Sequence, residues 1–133
     1  MYSQFAVSTR SRSSMEDITA YVQDAVTKSG IGDGFCVVFV PHTTAALTIN
    51  EHADPDVATD ILAKLEELVP RRGAYRHTED GNADAHVKAS LMGSSVTVLV
   101  HEGRLRLGVW QGVFLCEFDG PRRRSVWVQV VGS

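Results

Sequence analysis

The sequence predicts an α+β fold, an antiparallel β-sandwich-like sheet with helices packed on one side. Three observations carry this. Helical apolar spacing is confined to the first two-thirds of the chain, and strand-type alternation fills the last third. The length of 133 residues suits one domain and is too short for a (β/α)₈ barrel, so residues 1–133 are expected to form a single unit.

The elements follow in order. YSQFAVST has the short alternation of a first strand. Ser14 then reads as an N-cap, with Asp17 three positions on and Ile18, Val22, Ala25 and Val26 at helical spacing, closed by Gly30. FCVVFV at 35–40 is continuously apolar, as in a strand buried on both faces, and ALTIN reads as its continuation or hairpin partner. Asp54-Pro55 opens a second helix whose stripe is Val57, Ile61, Leu62, Leu65 and Leu68, stopped by Pro70. Asn82 caps a third, ADAHVKASLM, ended by Gly93, with Asp84 and Lys88 paired four apart. The remaining alternating runs, with turns at Glu102-Gly103 and Asp119-Gly120-Pro121, predict an antiparallel meander in which Trp110 is a core residue.

Hydrophobic residues make up 44% and charged residues 22% of the chain, as in ordinary soluble proteins. No apolar run spans a bilayer, and MYSQFAVSTRSRSS lacks the order of a signal peptide, so a cytoplasmic protein without membrane contact is expected. Cys36 and Cys116 sit inside apolar runs, which favours reduced core thiols. A net charge of −3 argues against nucleic-acid binding. Arg71-Arg72 and Arg122-Arg123-Arg124 follow prolines and read as solvated turn positions, with phosphate contact the alternative.

Chemistry concentrates in HTEDGNADAH, residues 77–86. His77 and His86 flank three carboxylates there, and His42, with Thr43 and Thr44, sits where the buried strand must end. The spacing matches no known metal motif. Three histidines from different segments nevertheless suit an open zinc-type site, and Glu79, Asp80 and Asp84 offer oxygens suited to magnesium or manganese. Alternatively the loop is only a satisfied turn, with Asn82 capping and Asp84 complementing the helix dipole. His52 and His101 read as bystanders. The helix start at Gly81-Asn82-Ala83 offers amides to an anion, with Lys88 or an arginine to neutralise a phosphate.

FVPHTTAALTINE, HTEDGNADAH, LMGSSVTV and GRLRLGVWQGVFLCEFDGPR, in this order, closely resemble the YjbQ-like proteins, often labelled secondary thiamine-phosphate synthases. The resemblance implies a small cytosolic protein that assembles as a homotrimer. It also places His42, Thr43, Thr44, Asn50, Glu51, His77, Asn82, Asp84, His86, Trp110 and Gln111 at family motif positions. The implied reaction joins an aminopyrimidine diphosphate to a thiazole phosphate and releases diphosphate. On this reading Asp80, Asp84 and Glu51 hold a divalent metal, magnesium, with Lys88 or Arg122 on the diphosphate, whereas in a zinc site the metal ligands are His42, His77 and His86. Glu51 and Asp84 are catalytic, while Thr43, Thr44, Asn50, Asn82, Lys88, Gln111 and Arg122 bind substrate. Two alternatives stand beside it: a metal-dependent hydrolase of a small phosphorylated or acyl substrate, and a non-enzymatic module that binds a phosphorylated metabolite.

Overall fold

Buried and exposed residues alternate strictly along residues 123–130, the mark of a strand with one face on a core and one free. The computed structural model describes residues 1–133 and places this strand inside a five-stranded sheet. The elements are β1 (Tyr2–Ser8), β2 (Ser14–Asp17), α1 (Thr19–Ser29), β3 (Gly34–Phe39), β4 (Ala45–Glu51), α2 (Pro55–Leu68), α3 (Ala83–Met92), β5 (Ser95–His101), β6 (Arg104–Leu105), β7 (Gln111–Glu117) and β8 (Arg123–Gly132). They form two sheets, one ordered β1-β8-β3-β5-β6 and one ordered β2-β7-β4. Every pairing is antiparallel.

Two apolar clusters hold the layers together. The larger joins the inner face of the five-stranded sheet (Cys36, Val38, Val98, Val128) to Leu47, Val113 and Leu115 of the other sheet and to Ile18, Val22 and Val26 around α1. The smaller lies on the opposite face of the three-stranded sheet. There Ala46, Phe114 and Cys116 meet Ala85 and Ala89 of α3 and the half-buried Ile61, Leu62 and Leu65 of α2. The fold is thus the expected mixture of antiparallel sheets with helices on one side. The outer face of the five-stranded sheet stays uncovered, with Phe35, Phe39, Leu99, Trp127 and Val131 exposed. No helix is long and apolar enough to cross a membrane. Both cysteines are free and buried, as expected.

Several local expectations change. Residues 14–17 are not the first helical turn but a short strand on β7, because Met15 is needed in the smaller cluster. The N-cap position falls to Ile18, and Asp17 just before it takes the first free amide, its Oδ1 accepting from the Thr19 amide at 3.0 Å and hydroxyl at 2.6 Å. The helix still ends at Gly30, which adopts a left-handed φ of 71°. Strand β3 is buried on one face only, since Phe35 and Phe39 point outward. Strand β4 neither continues β3 nor pairs with it; it pairs with β7 in the other sheet. The last third is consequently not a simple meander, as β7 leaves the sheet that holds β5 and β8. Trp110 is not core: it sits in the turn before β7 and is 62% exposed.

Candidate functional site

The first turn of α3 is organised by Asn82, which is buried. Its side chain does not cap the helix; it is drawn elsewhere. Asn82 Nδ2 donates to Asp119 Oδ2 at 2.8 Å, and an ionised carboxylate only accepts, so the amide orientation is fixed. Asn82 Oδ1 then faces His77 Nε2 at 3.1 Å and can only accept. His77 therefore carries a proton on Nε2, and in the neutral ring the lone pair lies on Nδ1. Its ring meets that of His86 edge to face, 5.4 Å between centroids. Arg122 closes the group from the turn before β8, donating from Nη2 to Asp119 Oδ2 at 3.1 Å.

Beneath lies a sealed ion pair. Glu117 and Arg124 are 0% and 2% exposed, and Arg124 Nε donates to Glu117 Oε1 at 2.8 Å while Nη2 holds the other oxygen. Burial alone would raise the Glu117 carboxyl; hydrogen bonds from Arg124, Asp119 and Thr9 outweigh it and hold the group below its usual range. Arg124 Nη2 also donates to Thr44 Oγ1 at 2.8 Å. The Thr44 oxygen is thereby used as an acceptor, and its own proton remains to be donated.

A cavity of about 660 Å³ opens over these groups, lined by Thr43, Thr44, His77, Asp80, Asn82, His86, Asp119 and Arg122, with no hydrophobic residue among them. His86 also lines two adjoining hollows, one shared with His42 and Thr43, the other with Tyr75 and Val87. His86 is the common wall of all three, and its ring takes no hydrogen bond from the chain.

The three histidines do not form a metal centre. No group of three or more His, Cys, Asp or Glu side chains stands where it could share an ion. His42 shows why: its Nε2 accepts the Ser125 amide at 2.9 Å, which uses the only lone pair of a neutral imidazole. Burial and the charge of Arg124, against Glu117 and with Arg122, hold this histidine below its ordinary proton affinity, which favours that neutral form. His42 therefore offers an Nδ1–H donor, not a ligand atom.

The remaining expected site residues are dispersed. Asp84 is fully buried, with Arg12 at 3.0 Å and Lys88 at 2.7 Å. Burial pushes its carboxyl up, but those two cations outweigh it and hold it below the usual range. Lys88, expected on a phosphate, is itself 1% exposed and bound to Asp84 and Glu66. Asn50, Glu51 and Gln111 lie at the other end of β4 and β7 from His42. Glu51 Oε2 accepts the Asp54 amide there at 2.6 Å, and Gln111 Oε1 accepts the Gly108 amide at 2.8 Å. Asp119, Glu117, Arg124 and Thr9 were not anticipated as site residues. A signal existed in one case: Glu117 interrupts the apolar run VFLCEF, which calls for a buried counter-charge. Arg124 supplies it, so the third arginine of the run is not a solvated turn position.

Residues 3–133 match the model of the family described as UPF0047 protein YjbQ-like. The chain belongs to this family. A UPF0047 protein of Methanocaldococcus jannaschii is 46% identical over 133 residues, covering all of this chain and 96% of that one. YugU of Bacillus subtilis is 42% identical, covering 99% and 100%. A crystal structure of a family member from Clostridium acetobutylicum, 51% identical, superposes with a TM-score of 0.94 over 96% of this chain and 98% of that one. Another, from Sulfolobus solfataricus, is 39% identical with a TM-score of 0.96 over 100% and 97%, and is described as a YbjQ-like protein of unknown function. The family resemblance read from the motifs is thus correct, and the activity attached to it is not. These relatives carry no thiamine-phosphate synthase or transferase description, and the metal site which that reaction was expected to use is missing from the geometry.

Proposed function

We propose that the cavity at the N-terminal end of α3 binds a small phosphorylated metabolite through the chain's own hydrogen-bond donors. One observation carries the reading: a cavity lined by polar residues alone, in which Thr44, Asn82 and Arg122 are held in place by hydrogen bonds within the chain. The Thr44 hydroxyl accepts from Arg124 and has its own proton to donate. Arg122 adds positive charge, the Asp119 carboxylate is already engaged by Arg122 and Asn82, and His86 contributes an unengaged imidazole at the junction of three hollows. Donors of this kind suit phosphate oxygens. The reading is of a metabolite-binding module; a metal-dependent hydrolase would need the histidine triad that does not converge. Cytoplasmic location accords with two free buried thiols.

The test is thermal stabilisation by a panel of sugar and nucleoside phosphates. A ligand present at a hundred times its Kd stabilises by about 2.7 kcal/mol. The expected result is stabilisation by at least one member, lost in His86→Ala and weakened in Thr44→Val. A panel without effect, or equal effects in both variants, contradicts the proposal.

We also propose that the chain assembles as a homotrimer. The uncovered outer face of the five-stranded sheet, with Phe39 stacked on Trp127 at 5.7 Å, supports association between copies. The number three rests on the family resemblance. Analytical ultracentrifugation at micromolar concentration tests it, and a stable monomer would overturn it.

A further inference from the structure

The far end of β4 carries an arrangement unrelated to the cavity at α3. Asp17 gives Oδ1 to Thr19 and turns Oδ2 toward His52 Nδ1 at 2.9 Å. Burial would raise the Asp17 carboxyl, but hydrogen bonds from Thr19 and His52 outweigh it and hold it below its ordinary value, so it is an ionised acceptor. Nδ1 then carries a proton toward Asp17, and in the neutral ring the lone pair lies on Nε2. The ring's seat is built by the neighbouring strand. The His52 amide donates to the Trp110 carbonyl at 2.9 Å, and a Cβ built at Gly112 would come within 2.6 Å of His52 Cγ. A side chain at 112 would displace the imidazole.

His52 faces a cleft of about 390 Å³ between β2, the end of β4 and the first turns of α2. Ala58, Leu62 and Phe114 give it an apolar wall, and Glu51 and Asp54 stand beside the dyad. Each of these two carboxylates uses one oxygen on a backbone amide, at 2.6 and 2.9 Å, and keeps the other. Arg10, the one basic residue lining the cleft, is paired with Glu16 at 2.9 Å. The cleft thus combines an imidazole oriented by Asp17, an apolar wall and unbalanced negative charge.

We propose that this cleft is a second binding site, for a small amine with an apolar substituent. The ammonium donates to His52 Nε2 between Glu51 and Asp54, and the substituent packs on Leu62 and Phe114. The probe is phenethylamine, compared with phenethyl alcohol and phenylacetate, read by NMR at the His52 ring Hε1 assigned through His52→Gln. The amine is expected to shift that resonance saturably, more tightly than the alcohol, with no response to phenylacetate. Glu51→Gln and Asp54→Asn keep their amide-accepting oxygens and so the local fold; each is expected to weaken the amine about fivefold, as for a partly exposed ion pair. Equal affinity for amine and alcohol, a resonance that ignores all three probes, or unchanged amine affinity in both carboxylate variants would overturn the proposal.

Discussion

At His42 a single hydrogen bond separates a donor from a metal ligand. The Ser125 amide occupies Nε2, and burial with two nearby arginines depresses the ring's proton affinity from its ordinary 6.5. Such a histidine binds fewer protons folded than unfolded in the range between its depressed value and 6.5. Its contribution to stability is therefore present above 6.5 and declines as the pH falls toward the depressed value. Urea titrations from pH 7.5 to 5 should show a steeper loss for the native chain than for His42→Gln, which keeps an acceptor for Ser125 but does not titrate. The Glu117–Arg124 pair behaves differently. Glu117→Ala leaves a buried guanidinium without its counter-charge and should cost about 3–5 kcal/mol of unfolding free energy. Glu117→Leu combined with Arg124→Met should recover most of that loss, which a double-mutant cycle in urea would measure. His86, the residue on which binding is proposed to turn, was visible in the sequence as part of a dense polar loop. The hydrogen-bond roles of His42, His77 and Thr44 were not, because they depend on Ser125, Asn82 and Arg124, which meet them only in the folded chain.

Among the elements, α2 and β7 stand at opposite extremes. Strand β7 is buried from Gly112 to Glu117 between two layers, whereas no residue of α2 is fully buried despite its clear apolar stripe. Amides of α2 should therefore exchange with solvent well before those of β7, and hydrogen exchange read by mass spectrometry would check this; similar protection of both would contradict it. The stripe on α2 and its cap were legible, since Asp54 Oδ1 accepts the Asp56 amide at 2.9 Å and Pro55 starts the helix as expected. The role of residues 14–17 was not. A serine followed by an acidic residue reads the same whether the chain turns helical or pairs as a strand, and only the presence of β7 beside Met15 decides it. Likewise Trp110 reads as strand core, yet it stands 62% exposed, next to Val109 at 86%. Gln111 draws the Gly108 amide to itself, and the backbone turns before pairing begins.

Over the whole molecule, the class of fold was legible because helical and strand periods occupy different parts of the chain. The assignment of strands to two sheets was not, since β4 and β7 carry the same apolar pattern as β3 and β5. The same split leaves one sheet face bare. If that face joins copies, Phe39→Ser combined with Trp127→Ser should lower the sedimentation coefficient toward that of a monomer, while a mutant that sediments like the native oligomer would place the contact elsewhere. The split also sends His42 and Glu51 to opposite ends of β4, dividing residues that the motifs had grouped into one site between two separate hollows. The proposal that the α3 cavity recognises phosphate with its own donors is tested most directly by titrating isotope-labelled protein with inorganic phosphate in the presence of a metal chelator. Saturable shifts centred on Thr44, Asn82, His86 and Arg122, absent in His86→Ala, are the expected result. Shifts that are missing, or that arise only when a divalent metal is added back, would contradict it.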